Sequence, residues 1–200
     1  MSTAILPFFP SLVHYTDIEN FSSIKDELVD YVYQERKEDV EGRVISNAGG
    51  WQSNELNHKG DNILKRVVAS GLREIFNPTD FQPVAYEIQS LWININKKGN
   101  HNNKHLHSGS DMAGVLWINT PKNSGALEWD NPNLFGMPPY YSEEIKEKYY
   151  HFGAYWYNPI GGRLFLFPSY LYHRVHVSKT SEDRISVSFN LRLMDINWMR

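Results

Sequence analysis

A mostly β fold with helices at its N-terminal end, of the antiparallel sandwich or jelly-roll kind, is what this sequence predicts, on three observations. Apolar residues recur at helical spacing only in the early part of the chain, and beyond Pro78 the period falls to two. Turns containing Pro, Gly or Asn separate the alternating runs that follow. No helix falls regularly between those runs, which argues for antiparallel layers and against a doubly wound parallel sheet.

In chain order, Asn20 is placed as an N-cap, followed by Phe21, Ile24, Leu28, Tyr31 and Val32 at helical spacing with charges between them, an amphipathic surface helix. A second helix is expected from Asp61 to Phe76, with Leu64, Val68, Leu72 and Ile75 as its apolar stripe and Asn77-Pro78 as its stop. Strands are expected over Val84–Asn96, Met112–Asn119, Gly125–Trp129, Phe152–Asn158, Arg163–Phe167, Tyr172–Val177 and Ile185–Leu193. The 200 residues suffice for one well-buried core and are few for two. One domain spanning 1–200 is expected, with a helical preface over about 1–80 and a β core over about 82–194.

Composition narrows the function. A formal net charge of -3 with 41% hydrophobic residues gives no basic footprint for nucleic acid. The absence of cysteine excludes disulfides, zinc ribbons, iron–sulfur ligation and thiol nucleophiles, so any metal must be held by His, Asp, Glu or carbonyl oxygen. Met1 to Pro10 lacks a basic n-region and a long apolar h-region, and no later run approaches membrane-spanning length. The expectation is a cytoplasmic protein with no nucleic-acid or membrane partner.

Two strands carry an unusual alternation. Leu91, Ile93 and Ile95 oppose Ser90, Trp92, Asn94 and Asn96, and Ile185, Val187, Phe189 and Leu191 oppose Arg184, Ser186, Ser188 and Asn190. A water-facing sheet would give the same pattern. If the two helices cover the apolar face, however, the polar face lines the inside of the roll, and an arginine there requires an anion.

His105 and His107, two apart in an extended chain, project to the same side with Cα atoms roughly 6.6 Å apart, so both rings reach one ion. His173, after the run Leu164-Phe165-Leu166-Phe167 and the turn at Pro168-Ser169, is the third candidate. His176 has the opposite parity, and only one of the two can face the interior of a regular strand.

Four stretches, in this order, resemble the iron(II)- and 2-oxoglutarate-dependent oxygenases, in particular compact members often encoded by phages. They are Ser46-Asn47-Ala48-Gly49-Gly50-Trp51-Gln52-Ser53-Asn54, the segment from His105 through Trp117, the segment from Leu166 through Val175, and Arg184-Ile185-Ser186-Val187-Ser188-Phe189-Asn190. The resemblance implies a double-stranded β-helix, the cupin-like jelly roll, with helices against one sheet. It implies Fe(II) and 2-oxoglutarate as cofactor and cosubstrate, and a dioxygenase that hydroxylates a C–H bond while releasing succinate and CO2. It also implies that His105 and His173 lie in metal-binding segments and that the Arg184-x-Ser186 pattern anchors the cosubstrate.

In one respect the chain departs from the pattern. The superfamily usually presents two histidines and one carboxylate, and the carboxylate position here holds His107. A site of His105, His107 and His173 is one reading; Asp111 folded back across Ser108-Gly109-Ser110 is another; a histidine withdrawn to a hydrogen-bonding role, with water in its place, is a third. Asn94 joins Arg184 and Ser186 as a candidate for the cosubstrate. Trp51, Trp92 and Tyr170 are candidates for substrate, a small molecule or a peptide. The stretch Asn131–Tyr150 is long for a strand connection and is a candidate lid. Two other function classes remain: a non-enzymatic jelly-roll binding or phage structural module, and a cupin-like metal dioxygenase that uses no oxo-acid.

Overall fold

The change of period marks where the chain leaves helix for sheet. The structure is a computed structural model that describes residues 10–56, 59–77, 84–133, 142–148 and 152–195. Its elements run β1 (His14–Asp17), α1 (Phe21–Glu38), β2 (Asn47–Ala48), β3 (Trp51–Gln52), α2 (Ile63–Phe76), β4 (Val84–Asn96), β5 (His101–His105), β6 (Met112–Asn119), β7 (Leu127–Asp130), α3 (Glu143–Lys148), β8 (Ala154–Tyr157), β9 (Arg163–Pro168), β10 (His173–Val175) and β11 (Arg184–Asp195). Among the described residues the strands form two antiparallel sheets. The larger has the order β1-β9-β6-β11-β4-β3, the smaller β2-β5-β10-β7-β8.

Helix α1 buries Leu28 and Val32, and α2 buries Leu64, Val67, Val68, Leu72 and Ile75. Both lie on the apolar face of the larger sheet, against Leu91, Ile93 and Ile95 of β4 and Ile185, Val187, Phe189 and Leu191 of β11. A second core lies on the other face, where Ala113, Val115 and Trp117 of β6 and Phe165 and Phe167 of β9 meet Leu127 and Trp129 of β7. Each fully buried Leu, Ile or Phe contributes roughly 1.5–3 kcal/mol, so the helices commit the larger sheet to one orientation. Its polar stripe then faces inward, with Arg184 opposite Asn96, Ser186 opposite Asn94, Ser188 opposite Trp92 and Asn190 opposite Ser90.

Several sequence expectations shift. Asn20 does not cap α1 with its side chain; it adopts φ 51 and ψ 28, a left-handed conformation that Asn tolerates, and Ser23 Oγ donates to its carbonyl at 2.7 Å. In α2 the capping residue is Asn62, whose side chain accepts from Lys65 N at 3.0 Å. Strand β5 has no apolar alternation to betray it. The preface supplies strands as well as helices: β1 joins β9, while β2 and β3 add to β5 and β4. Of the stretch Asn131–Tyr150, residues 131–133 and 142–148 are described, the latter containing the exposed α3, and the rest of the lid candidate lies outside the described residues. No helix among the described residues is long and apolar enough to cross a membrane.

Candidate metal centre

His105 closes β5, His107 lies two residues beyond, and His173 opens β10 directly opposite His105 in the antiparallel register. Tertiary folding therefore brings three imidazoles together, each offering one nitrogen within 4.8 Å of the others. Backbone pairing fixes the approach of His107, whose N–H donates to Ser169 O at 3.0 Å.

Each Nδ1 has an oxygen partner. His105 Nδ1 donates to Asn103 O at 2.7 Å, His107 Nδ1 to Asn190 Oδ1 at 2.6 Å, and His173 Nδ1 to Leu171 O at 2.9 Å. Asn190 is oriented in turn, its Nδ2 donating to Ser90 Oγ at 2.9 Å. A ring that donates through Nδ1 keeps an unprotonated Nε2, the arrangement usual for metal-binding histidine. His107 Nε2 and His173 Nε2 are 3.2 Å apart, so two lone pairs face one another across a gap that a cation would relieve. Burial, reinforced by the neighbouring His105, pulls the pKa of His173 down to about 3 and that of His107 to about 4. Burial also lowers the pKa of His105. All three are thus neutral and ready to coordinate near neutral pH, and this donor set fits a borderline transition metal such as Fe(II).

The cluster opens into a cleft between the sheets, lined by Trp92, Asn94, Asn102, Trp117, Ser186 and Ser188 among others. Trp92 stacks on His107, with ring centroids 5.8 Å apart and an interplanar angle of 21°. Arg184 is 1% exposed, behind the lining residues. One guanidinium nitrogen donates to Ser124 O, Nε has no partner, and the group lies 5.9 Å from the Trp117 ring. It has no acidic partner among the described residues. Desolvation lowers its pKa to about 10. Asn96 Nδ2, opposite it in the strand register, and Trp117 Nε1 beside it are donors buried without partners, while Asn94 Oδ1 and Asn96 Oδ1 are acceptors buried without partners. A buried cation beside orphaned donors fits an anionic, oxygen-rich ligand such as the far carboxylate of 2-oxoglutarate.

The other candidates separate. Ser186 and Asn94 line the cleft, and Asn94 Nδ2 donates to Ser188 Oγ at 3.1 Å. Asp111 is not in the histidine cluster; its carboxylate accepts from Leu193 N at 2.7 Å, a contact that holds it beside β11. Trp51 is buried away from the cleft, its Nε1 donating to Asp39 O at 2.7 Å. Tyr170 is exposed and pairs with Ser11 Oγ at 3.3 Å, also outside the lining. His176 turns outward to Glu128 Oε2 at 2.8 Å. Sequence reasoning missed Ser46, Asn102 and Asn190. Asn190 was visible in the polar stripe, and its parity with Arg184 was the available signal, but its pairing with a residue 83 positions earlier was not.

Two facing sheets, a helical cover on one and a three-imidazole cluster between them define a double-stranded β-helix protein equipped for a transition metal. Residues 90–190, half of the chain, match the family described as "Putative 2OG-Fe(II) oxygenase". The chain belongs to that family: it is a 2-oxoglutarate-dependent oxygenase that uses Fe(II). No curated protein matches its sequence. Solved structures share the fold at low identity. A prolyl-4-hydroxylase from Pseudomonas putida is 13% identical with a TM-score of 0.62, the match covering 91% of this chain and 92% of that one. A prolyl hydroxylase from Trichoplax adhaerens, in complex with a hypoxia inducible factor peptide fragment, is 16% identical with a TM-score of 0.61, covering 92% and 84%. The viral collagen prolyl hydroxylase of Paramecium bursaria Chlorella virus-1, in its 2OG complex, is 13% identical with a TM-score of 0.57, covering 90% and 94%.

Proposed function

We propose that His105, His107 and His173 hold the iron through Nε2, and that Arg184, with Ser186 and Asn94 nearer the cleft, anchors 2-oxoglutarate. The observation that carries this reading is the set of three Nδ1–H donations to Asn103, Asn190 and Leu171, which leaves Nε2 of each ring unprotonated, in a cluster whose ligand nitrogens lie within 4.8 Å of one another. When bound, the iron and 2-oxoglutarate supply an oxidation in which O2 and 2-oxoglutarate are consumed, succinate and CO2 leave, and one oxygen atom enters a substrate C–H bond. The chain's own residues do the rest. Asn190 and the two carbonyls fix the rings, Arg184 neutralises a carboxylate where water is excluded, and Trp117, Phe167 and Leu127 keep the cleft dry. Three neutral imidazoles leave the metal charge uncompensated by protein, which favours a dianionic cosubstrate.

Residues 1–200 act in this reading as one catalytic unit in the cytoplasm. Its substrate is a small molecule or a peptide side chain that enters beside Trp92, and the likeness to the prolyl hydroxylases above supports an amino-acid-like group. The test is succinate release from purified protein given Fe(II), 2-oxoglutarate and ascorbate under air. Slow uncoupled succinate formation that vanishes in His173→Ala and weakens in Arg184→Ala is expected. Iron retention with oxygen uptake but no succinate points instead to a dioxygenase that uses no oxo-acid, and absence of metal binding ends the proposal.

A further inference from the structure

Beside the histidine cluster, the loop from Asp39 to Asn54 closes one side of the molecule, giving β2 to the smaller sheet and β3 to the larger. One carboxylate pins both ends of it. Asp39 Oδ1 accepts from Gly42 N at 3.0 Å, and Asp39 Oδ2 accepts from the backbone N and the Nδ2 of Asn54, each at 3.0 Å. Arg43 N donates to Gln52 O at 2.8 Å, Asn47 Oδ1 accepts from Ile45 N at 2.9 Å, and Asn103 N donates to Ser46 O at 2.8 Å. The loop is therefore held in one shape before anything binds.

What it holds out is unusual. Val40, Val44 and Ile45 are 74%, 80% and 69% exposed, the three most exposed large apolar side chains among the described residues. Isolated apolar exposure is ordinary, but such side chains gathered on a pinned loop next to a cleft mark a contact surface. Ser46, next in sequence, lines the cleft. The Arg43 guanidinium lies 6.0 Å over the ring of Trp92, which itself stacks on His107, so a line of stacked groups leads from the loop to the metal centre. Among the described residues the one ion pair of Arg43, from Nη1 to Glu55 at 3.2 Å, involves a half-exposed carboxylate. An exposed pair of that kind contributes little, and the guanidinium retains a hydrogen bond to give.

We propose that Arg43, Val44 and Ile45 are the specificity determinants of this oxygenase, and that the substrate is an apolar amino acid, free or peptide-linked. Arg43 takes a carboxylate or carbonyl oxygen of the substrate, and Val44 and Ile45 cover apolar groups next to it. Trp92 forms the wall between that grip and the metal centre. This inference rests on the metal-centre reading above. The pinned loop holds Arg43 in place without cost at binding, the condition under which one charged hydrogen bond carries about ten- to hundredfold in affinity.

The experiment measures succinate release under air with Fe(II), saturating 2-oxoglutarate and ascorbate, with two sets of probes. One set is the free L-forms of leucine, isoleucine, valine, methionine, phenylalanine and proline; the other is the same residues as N-acetyl N-methylamides, which keep carbonyl oxygens and lose both charges. At least one probe is expected to raise succinate severalfold above the uncoupled rate, and the set that does so distinguishes a free amino acid from a peptide residue. For that probe, Arg43→Ala raises KM at least tenfold while KM for 2-oxoglutarate moves less than twofold, and Val44→Asp raises the probe's KM in the same way. Arg43→Lys, which keeps the charge but lacks the planar guanidinium, gives an intermediate KM and decides the matter should Arg43→Ala fold poorly. If the wild type forms uncoupled succinate and no probe stimulates it, the substrate class is wrong. A probe KM unmoved by Arg43→Ala or Arg43→Lys removes the role of Arg43. Absence of even uncoupled succinate refutes the metal and cosubstrate assignment, and this inference falls with it.

Discussion

Replacing Arg184 with methionine should leave the protein about as stable and make its cosubstrate site worse. Burial holds the guanidinium pKa down at about 10 against an ordinary 12.5; at about 1.4 kcal/mol per unit, keeping the cation charged in the folded state costs about 3 kcal/mol. Because the folded pKa is the lower one, this cost is present at every pH below about 10 and fades only above it. Methionine removes the cost and fills much of the same volume. Against this, Ser124 O loses its donor, about 1–3 kcal/mol, and the contact with the Trp117 ring is lost, about 0.5–1 kcal/mol. These contributions offset to within about 1 kcal/mol, so for a chain of this size the melting temperature should stay within about 2–4 °C of wild type. Cosubstrate affinity falls, since removing one partner of a buried charge pair costs about 2–5 kcal/mol, or a loss of about thirtyfold or more. Differential scanning fluorimetry of metal-free wild type and Arg184→Met reads the first quantity. Titration of 2-oxoglutarate into the Mn(II)-loaded proteins reads the second. A variant that melts several degrees below wild type, or binds 2-oxoglutarate as tightly, would refute the account of Arg184 as a cation waiting for an anion.

Asn190→Ala should weaken Fe(II) or Mn(II) binding by about 10–100-fold, because His107 loses the acceptor that fixes its tautomer; competition with a metallochromic dye measures it. His107→Asp should retain the metal by supplying a carboxylate in its place, whereas His107→Ala should not, as metal analysis after gel filtration will show. The metal-free protein should lose stability as pH falls from about 6.5, since the unfolded histidines take up protons there while His107 and His173 resist until about 4 and 3. Each of those rings accounts for about 2 kcal/mol at pH 5, readable from urea midpoints, and bound iron should dissociate over the same descent. Gly114→Ala should destabilise the fold by about 1–3 kcal/mol, because an added Cβ would overlap the Phe189 ring and approach Phe165 O to 2.8 Å; thermal melting checks it.

The local pattern of the chain determined a good deal by itself. Period-two alternation fixed Val84–Asn96 and Met112–Asn119 to the residue, because burial on alternate faces leaves its mark in each strand's own sequence. The polar stripe running from Arg184 to Asn190 showed that one face of β11 was not core. His-x-His spacing placed two imidazoles on one side of the chain. Strands β1, β2, β3 and β5 were not legible: three are four residues or fewer, and β5 is polar, its inner positions holding groups that serve the cleft. Tertiary structure alone decided that His173 meets His105, since that pairing depends on the antiparallel register of β10 against β5 across 68 residues of chain. It also decided that Asp111 turns to Leu193 and away from the histidines, that Trp51 serves Asp39, and that Arg43 reaches Trp92. A residue's periodicity reports which face it occupies; which distant residue shares that face is set by how the sheets fold over one another.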